Sequence, residues 1–142
     1  MNERELNLLD LIALCVRKWR DVYILRCDDN SLYTGVTKDL YHRMDAHYHK
    51  KKEGAKYTKS HRPKEIAMVW TTKKWSDACR LEYFIKTLSK RRKEEILQTP
   101  EQLQILFCQM KEEEDFCCEI CQISTKYPII LQDFLSKCAT LC

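Results

Sequence analysis

Glycine is almost missing from this sequence. There are two in 142 residues, Gly35 and Gly54, beside three prolines. So sparse a set excludes a collagen, a Gly/Ser linker chain and a low-complexity architecture. It also excludes glycine-rich phosphate cradles, because neither G-x-G-x-x-G nor a P-loop can be written around two isolated glycines. Long apolar runs are missing as well. The longest, Leu11 to Val16, falls far short of the roughly 20 residues that span a bilayer. Glu3, Glu5 and Asp10 around its start have the wrong sign for a secretory signal. These absences predict a soluble, cytoplasmic protein with no membrane partner. An even cysteine count is missing too. Nine cannot all pair within one chain, and without a signal peptide, reduced thiols or metal ligands are favoured over a disulfide framework.

The chain is 44% hydrophobic and 32% charged, which suits one packed domain with a charged surface. The charge is unevenly placed. Residues 38–97 hold seventeen Lys/Arg against eight Asp/Glu, whereas residues 98–142 hold three against seven. A middle this basic suits a polyanion such as nucleic acid, or is an ordinary solvated surface. The acidic end, with Glu112, Glu113, Glu114 and Asp115 in a row after Pro100, reads as a helical appendage that docks on the domain or on a protein partner. No internal repeat is visible.

Periodicity places the elements. Leu9, Ile12, Ala13 and Val16 share one face of a helix predicted over residues 6–18. Val22 to Cys27 and Ser31 to Val36 flank Asp28, Asp29 and Asn30, and read as a β-hairpin. A charged helix follows from Asp39 to about Lys52, with Thr37 as its N-cap. Lys56 to Pro63 reads as a polar loop and Ile66 to Thr72 as a third strand. Ser76 caps a helix to about Ser89 on the stripe Ala78, Leu81, Phe84, Ile85, Leu88, and a shorter helix follows to about Leu97. The expected fold is a mixed α/β (α+β) domain: a small three-stranded antiparallel sheet flanked by helices. The expected division is an N-terminal helical extension (1–20), the domain (21–97) and an acidic, Cys-containing helical tail (98–142).

One constellation rises above composition. Tyr23 lies in the first strand and Tyr33 in the second, followed by Thr34 and Gly35. Arg43 comes ten residues after Tyr33, and His47 one helical turn later on the same face. Glu82 lies on the long helix. Lys56, Tyr57, Lys59 and Arg62 mix cations with an aromatic ring, a combination suited to phosphates and bases, and Lys86 adds to it.

These residues resemble the GIY-YIG nuclease family, especially its short bacterial stand-alone YhbQ-like members. The resemblance runs from Asp21 to Leu97 through Val22-Tyr23-Ile24, Leu32-Tyr33-Thr34-Gly35-Val36, Arg43, His47, Gly54-Ala55-Lys56-Tyr57-Thr58, Arg62-Pro63 and Arg80-Leu81-Glu82. It implies metal-dependent hydrolysis of phosphodiesters in DNA, with RNA not excluded, in a setting such as repair or recombination. It implies that Glu82 holds one divalent cation, Mg²⁺ or Mn²⁺, that Arg43 meets developing negative charge, and that Tyr23, Tyr33 or His47 handles the proton of the attacking water. Val22 replaces the glycine of the first family tripeptide, and Glu94 stands where some DNA-repair members have asparagine. A non-catalytic nucleic-acid-binding module with the same fold, or a protein that captures a partner through its tail, are the alternatives.

The tail carries C-x-x-C at Cys118 and Cys121 and C-x-x-x-C at Cys138 and Cys142, a spacing that can hold Zn²⁺. The tail has no glycine for knuckle turns, however, and residues 128–141 read as an amphipathic helix with Ile130, Leu131, Phe134 and Leu135 inward. Packing with reduced cysteines is therefore preferred to zinc.

Overall fold

Asp28, Asp29 and Asn30 reverse the chain between strands β1 (Arg20–Cys27) and β2 (Leu32–Thr37). Asn30 takes φ 67°, a left-handed conformation that asparagine tolerates. The Asp29 carboxylate accepts from the Ser31 amide (3.1 Å) and hydroxyl (2.5 Å). The chain continues as α1 (Leu40–Tyr48), α2 (Lys56–Ser60), β3 (Pro63–Thr72), α3 (Trp75–Thr87), α4 (Lys90–Gln98), α5 (Gln102–Gln109), β4 (Cys121–Gln122), β5 (Ile129–Ile130) and α6 (Leu131–Leu141). This computed structural model describes residues 20–52, 54–109, 121–122 and 128–141. The helix expected over residues 6–18 lies outside them, as does Cys118. Among the described residues no helix is long and apolar enough to cross a membrane.

β1 is an inner strand, antiparallel to β2 on one side and to β3 on the other. Its continuous apolar run, Val22-Tyr23-Ile24-Leu25, is fully buried, because both of its faces are covered. Val22 and Ile24 pack with Met68, Trp70, Ala78, Leu81, Ile85, Ile96 and Leu103, beneath α3, α4 and α5. Tyr23 and Leu25 pack with Leu40, Met44, Val69, Leu131 and Phe134, between α1 and α6. The register shifts between Ile24, opposite Met68, and Leu25, opposite Ile66, leaving Ala67 as an extra residue. Such a bulge resets the alternation of faces. Val22 thus fills the helical side of the core at the position where the family tripeptide has glycine.

The mixed α/β architecture matches the expectation, but the sheet is wider. β4 pairs with Trp70 and Thr71, and β5 pairs with Glu65 and Ile66, both on the edge of β3 that β1 leaves open. The sheet is therefore four strands across. The residues after 98 do more than hang from the domain: α6 buries Leu131, Phe134, Leu135 and Cys138 against the sheet. Ile130, expected inward, is 45% exposed, while its strand neighbour Ile129 is buried, as alternation along a strand requires. Cys138 is disulfide-bonded rather than reduced, so it has no thiolate to offer zinc. Cys27 and Cys79 are free thiols.

Smaller differences have local causes. Asp39, not Thr37, caps α1: its carboxylate accepts from the His42 amide at 3.2 Å, while Thr37 bonds the Asp39 backbone at 3.0 and 3.1 Å. The expected loop at Lys56 contains the one-turn helix α2. Ser76 lies inside α3, whose N-cap is Lys74. If α6 is part of the core, Phe134→Ala will lower unfolding free energy by about 3–5 kcal/mol in urea titration, while Ile130→Ala stays within about 1 kcal/mol.

Candidate active site

The side chain of Tyr23 crosses from inner strand β1 to the sheet margin. Its strand partner is Gly35, and a methyl group built on Gly35 would lie 2.3 Å from the Tyr23 hydroxyl oxygen and 2.5 Å from Cζ. The phenol therefore rests directly on the β2 backbone, and glycine at 35 is what admits it. Tyr33 comes from the same edge strand, with its ring centroid 6.3 Å from that of Tyr23. From α1, Arg43 hydrogen-bonds both phenols, and His47 packs its ring 5.7 Å from Tyr23 and 5.5 Å from Tyr33. Arg43 and His47 arrive together because i and i+4 share a helix face.

The hydrogen bonds determine where the protons sit. The Thr58 hydroxyl donates its one proton to the Ala55 carbonyl at 2.9 Å. Its oxygen must then accept from His47 Nδ1, 3.0 Å away. The neutral imidazole consequently carries its proton on Nδ1, and bare Nε2 accepts from the Tyr23 hydroxyl at 2.7 Å. His47 and Tyr23 have no exposed surface and Thr58 almost none. Burial, and then the charge of Arg43, push His47 down to about 4. Burial first, then the neighbouring Tyr33, push the Tyr23 phenol far above its ordinary range; the Arg43 hydrogen bond works against this, and the nearby charge of Glu82 adds to it. Both groups are thus neutral over the physiological range.

Glu82 lies on α3, on the other side of the sheet, yet its charge reaches Tyr23. Its carboxylate is largely covered and pairs with Lys86 at 3.4 Å. Among the described residues no group of three or more His, Cys, Asp or Glu side chains forms a metal cage. One carboxylate suits a hard cation such as Mg²⁺, which keeps several waters and binds through one or two carboxylates plus phosphate oxygens. It does not suit zinc. The histidines on α1 and at its C-cap are engaged singly and outwardly: His42 with Asp39, and His49 with Asp45 at 2.8 Å.

The predicted nucleic-acid residues are dispersed by comparison. Lys56 and Lys59 are exposed, Lys59 bonding the Lys52 carbonyl at 3.3 Å. Arg62 lies 4.0 Å from Asp28. Tyr57 stacks on Tyr33 at 5.7 Å and on His61 at 4.0 Å. The ring therefore buttresses Tyr33, and at 37% exposure it keeps part of its surface open to solvent. Glu94 forks onto Arg26 at 2.6 and 2.9 Å, so its charge is committed to that strand. Lys38 sits 4.9 Å over the Trp75 ring. Thr58 and His61 carry structural roles that spacing gave no hint of, since both act across separate elements.

A profile described as the GIY-YIG catalytic domain matches residues 21–95. Similar proteins include a UPF0213 protein of Fusobacterium nucleatum, 46% identical over 80 residues (56% of this chain, 78% of that protein). One from Staphylococcus epidermidis is 44% identical over 77 residues (54% and 92%), and YazA of Bacillus subtilis is 40% identical over 72 (51% and 71%). The solution structure of a UPF0213 protein from Bacillus halodurans shares 38% identity over 56% of this chain and 82% of that one, with a TM-score of 0.36.

Two outcomes test this geometry. Gly35→Ala will force the Tyr23 ring away, costing about 1–3 kcal/mol of stability in denaturant titration and breaking the bond to His47. For His47, folded titration near 4 lies below the unfolded value of about 6.5. Between these values the unfolded chain holds the extra proton, so the His47 contribution is fully present above pH 6.5 and is lost as pH falls toward 4. Imidazole ¹⁵N shifts will show the Nδ1–H form persisting to about pH 5, and Thr58→Val will abolish that tautomer preference.

Proposed function

This chain belongs to the GIY-YIG family of nuclease domains, and from that premise we propose that it is a metal-dependent endonuclease that hydrolyses phosphodiester bonds of DNA. The observation that carries the reading is the meeting of Tyr23, Tyr33, Arg43 and His47 at one sheet margin, within range of the Glu82 charge. A cytoplasmic setting and a role in repair or recombination belong to the same proposal.

The chemistry follows from the proton positions. In this reading substrate binding would admit a water to the buried Tyr23 phenol, which would take that water's proton while passing its own to His47 Nε2. Neither group is a strong base alone, because burial opposes both the phenolate and the imidazolium. The relay creates neither a free phenolate nor a free hydroxide; it ends on an imidazolium whose formation the incoming phosphate charge favours. Arg43, hydrogen-bonded to both phenols, is a fixed cation where the phosphorus centre gathers negative charge. Thr58 holds the imidazole in the accepting tautomer. Glu82 would hold the divalent cation, Mg²⁺ or Mn²⁺, which when bound supplies charge stabilisation to the phosphate and the leaving 3′ oxygen. Lys86 would then exchange its partner Glu82 for solvent or phosphate.

The direct test is nicking of labelled DNA. Wild type will cut with Mg²⁺ or Mn²⁺ and stop with EDTA. Glu82→Gln will bind DNA without cutting, and Arg43→Ala will lose about 10²-fold or more in kcat. Salt-sensitive binding with no cutting under any divalent cation would instead mark a binding module and sink the catalytic reading.

A further inference from the structure

The first turn of α4 reads Lys90-Arg91-Arg92-Lys93 and contains no acid. Arg91 and Arg92 both turn to Glu95, at 3.6 and 2.7 Å. Lys90 and Lys93, three residues apart and so on a shared face, instead line a cavity of about 270 Å³ with Asp29, Ser31, Leu32 and Tyr57. Three separate parts of the chain build it: the β1–β2 turn, α2 and α4. Among the described residues neither lysine has a hydrogen-bond or ion-pair partner. The single carboxylate in the lining, Asp29, is already engaged by Ser31 through one oxygen and by His61 through the other, at 2.7 Å.

Lys93 is half-buried, and burial together with the nearby Lys86 lowers its proton affinity. A cation partly withdrawn from water beside another cation is costly unless an anion joins it. The lining offers only the Asp29 carboxylate, whose two oxygens are already engaged, while the charge of Glu94 acts on Lys90. The cavity is also one ring from the candidate active site, since its wall Tyr57 stacks on Tyr33 at 5.7 Å.

We propose that this cavity is a phosphate subsite, in which Lys90 and Lys93 hold a backbone phosphate of the nucleic-acid strand flanking the one cleaved at the Tyr23–Arg43–Glu82 site. The assignment rests on the nuclease reading above. It gives the strand a direction across the surface, from the β2 margin past Tyr57 to the start of α4. The exposed Lys56 and Lys59 are then accessory to Lys90 and Lys93.

The test separates this subsite from the nuclease reading by using binding and turnover together. In the full-length Glu82→Gln protein, binding of a fluorescent oligonucleotide is measured across a salt series. Lys93→Gln should flatten the plot of log affinity against log salt by about 0.7–0.9, the loss of one phosphate contact. Lys93→Arg should restore the slope. In the otherwise wild-type protein Lys93→Gln and Lys90→Gln should raise KM about 5- to 10-fold with kcat nearly unchanged, the signature of lost uniform binding. Lys137→Gln, an equal charge change on α6, controls for net charge. Thermal midpoints of the Lys93 variants should equal or exceed that of wild type, since no folded-state partner is lost. If Lys90→Gln and Lys93→Gln behave as Lys137→Gln does while DNA is still cut, the subsite is wrong and the nuclease reading stands. If Lys93→Gln flattens the slope in a protein that never cuts, the subsite stands and the catalytic reading fails. Saturation of the cavity by inorganic phosphate without any change in the oligonucleotide slope would mark a site for the free anion and overturn the backbone assignment.

Discussion

The phenol of Tyr23 lying across the backbone of Gly35 is the constraint on which the site depends. A side chain on an inner strand ordinarily ends in the core, and most of this one does. Its hydroxyl reaches the sheet margin only because β2 offers no Cβ at the facing position. Once there, it finds an imidazole acceptor on one side and a guanidinium donor on the other. Both come from α1, whose position is set by Leu40 and Met44 packing into the same layer as Tyr23. The geometry of the candidate site and the hydrophobic layer are therefore one structure. A change that repacks the layer moves the proton relay with it.

The two faces of the sheet divide the work. The layer under α1 and α6 holds the buried Tyr23 and His47. The layer under α3, α4 and α5 holds Glu82 and the lysines, whose charged ends lie nearer water. The two meet at β2 because an edge strand has one side open, so groups from opposite faces can approach each other around it. That arrangement resolves a conflict of environments. A neutral relay benefits from burial, whereas a carboxylate that is to hold a hydrated cation needs water at its oxygens, and the Glu82 side chain keeps 21% of its surface exposed.

Much of this was legible in the sequence, for identifiable reasons. The hairpin showed itself because Asp28, Asp29 and Asn30 interrupt two apolar runs, and the Arg43–His47 pairing because four residues make one helical turn. Glu82 and the tyrosines were legible only as a family pattern; no periodicity brings them together. Thr58 was hidden because its role is a single tertiary hydrogen bond from a one-turn helix without an apolar stripe. The contribution of the tail was hidden for another reason. β4 and β5 are two residues each, too short for alternation to register, and their partners on β3 are fifty or more residues away. The disulfide at Cys138 was hidden because an odd total says nothing about which cysteines pair. Tyr57 was legible as an aromatic among lysines, but its stacking on Tyr33 is a tertiary contact that spacing does not reveal.

The electrostatics of the free protein favour a resting state. Tyr23 holds its proton more tightly than an ordinary phenol and His47 accepts one less readily than an ordinary imidazole, so transfer between them is unfavourable while the pocket faces only Arg43. In the proposed reaction a phosphodiester entering beside Arg43 would reverse the balance. Its negative charge offsets the guanidinium, one of the two causes that depress His47, and favours the imidazolium directly. The same charge stabilises Arg43 and any cation at Glu82. In the proposed reaction the substrate would thus complete the base, and water would be activated only when there is a phosphate to attack. Burial, which looks at first like an obstacle to catalysis by Tyr23 and His47, is what makes the relay responsive to one incoming charge, because that charge acts through little intervening water.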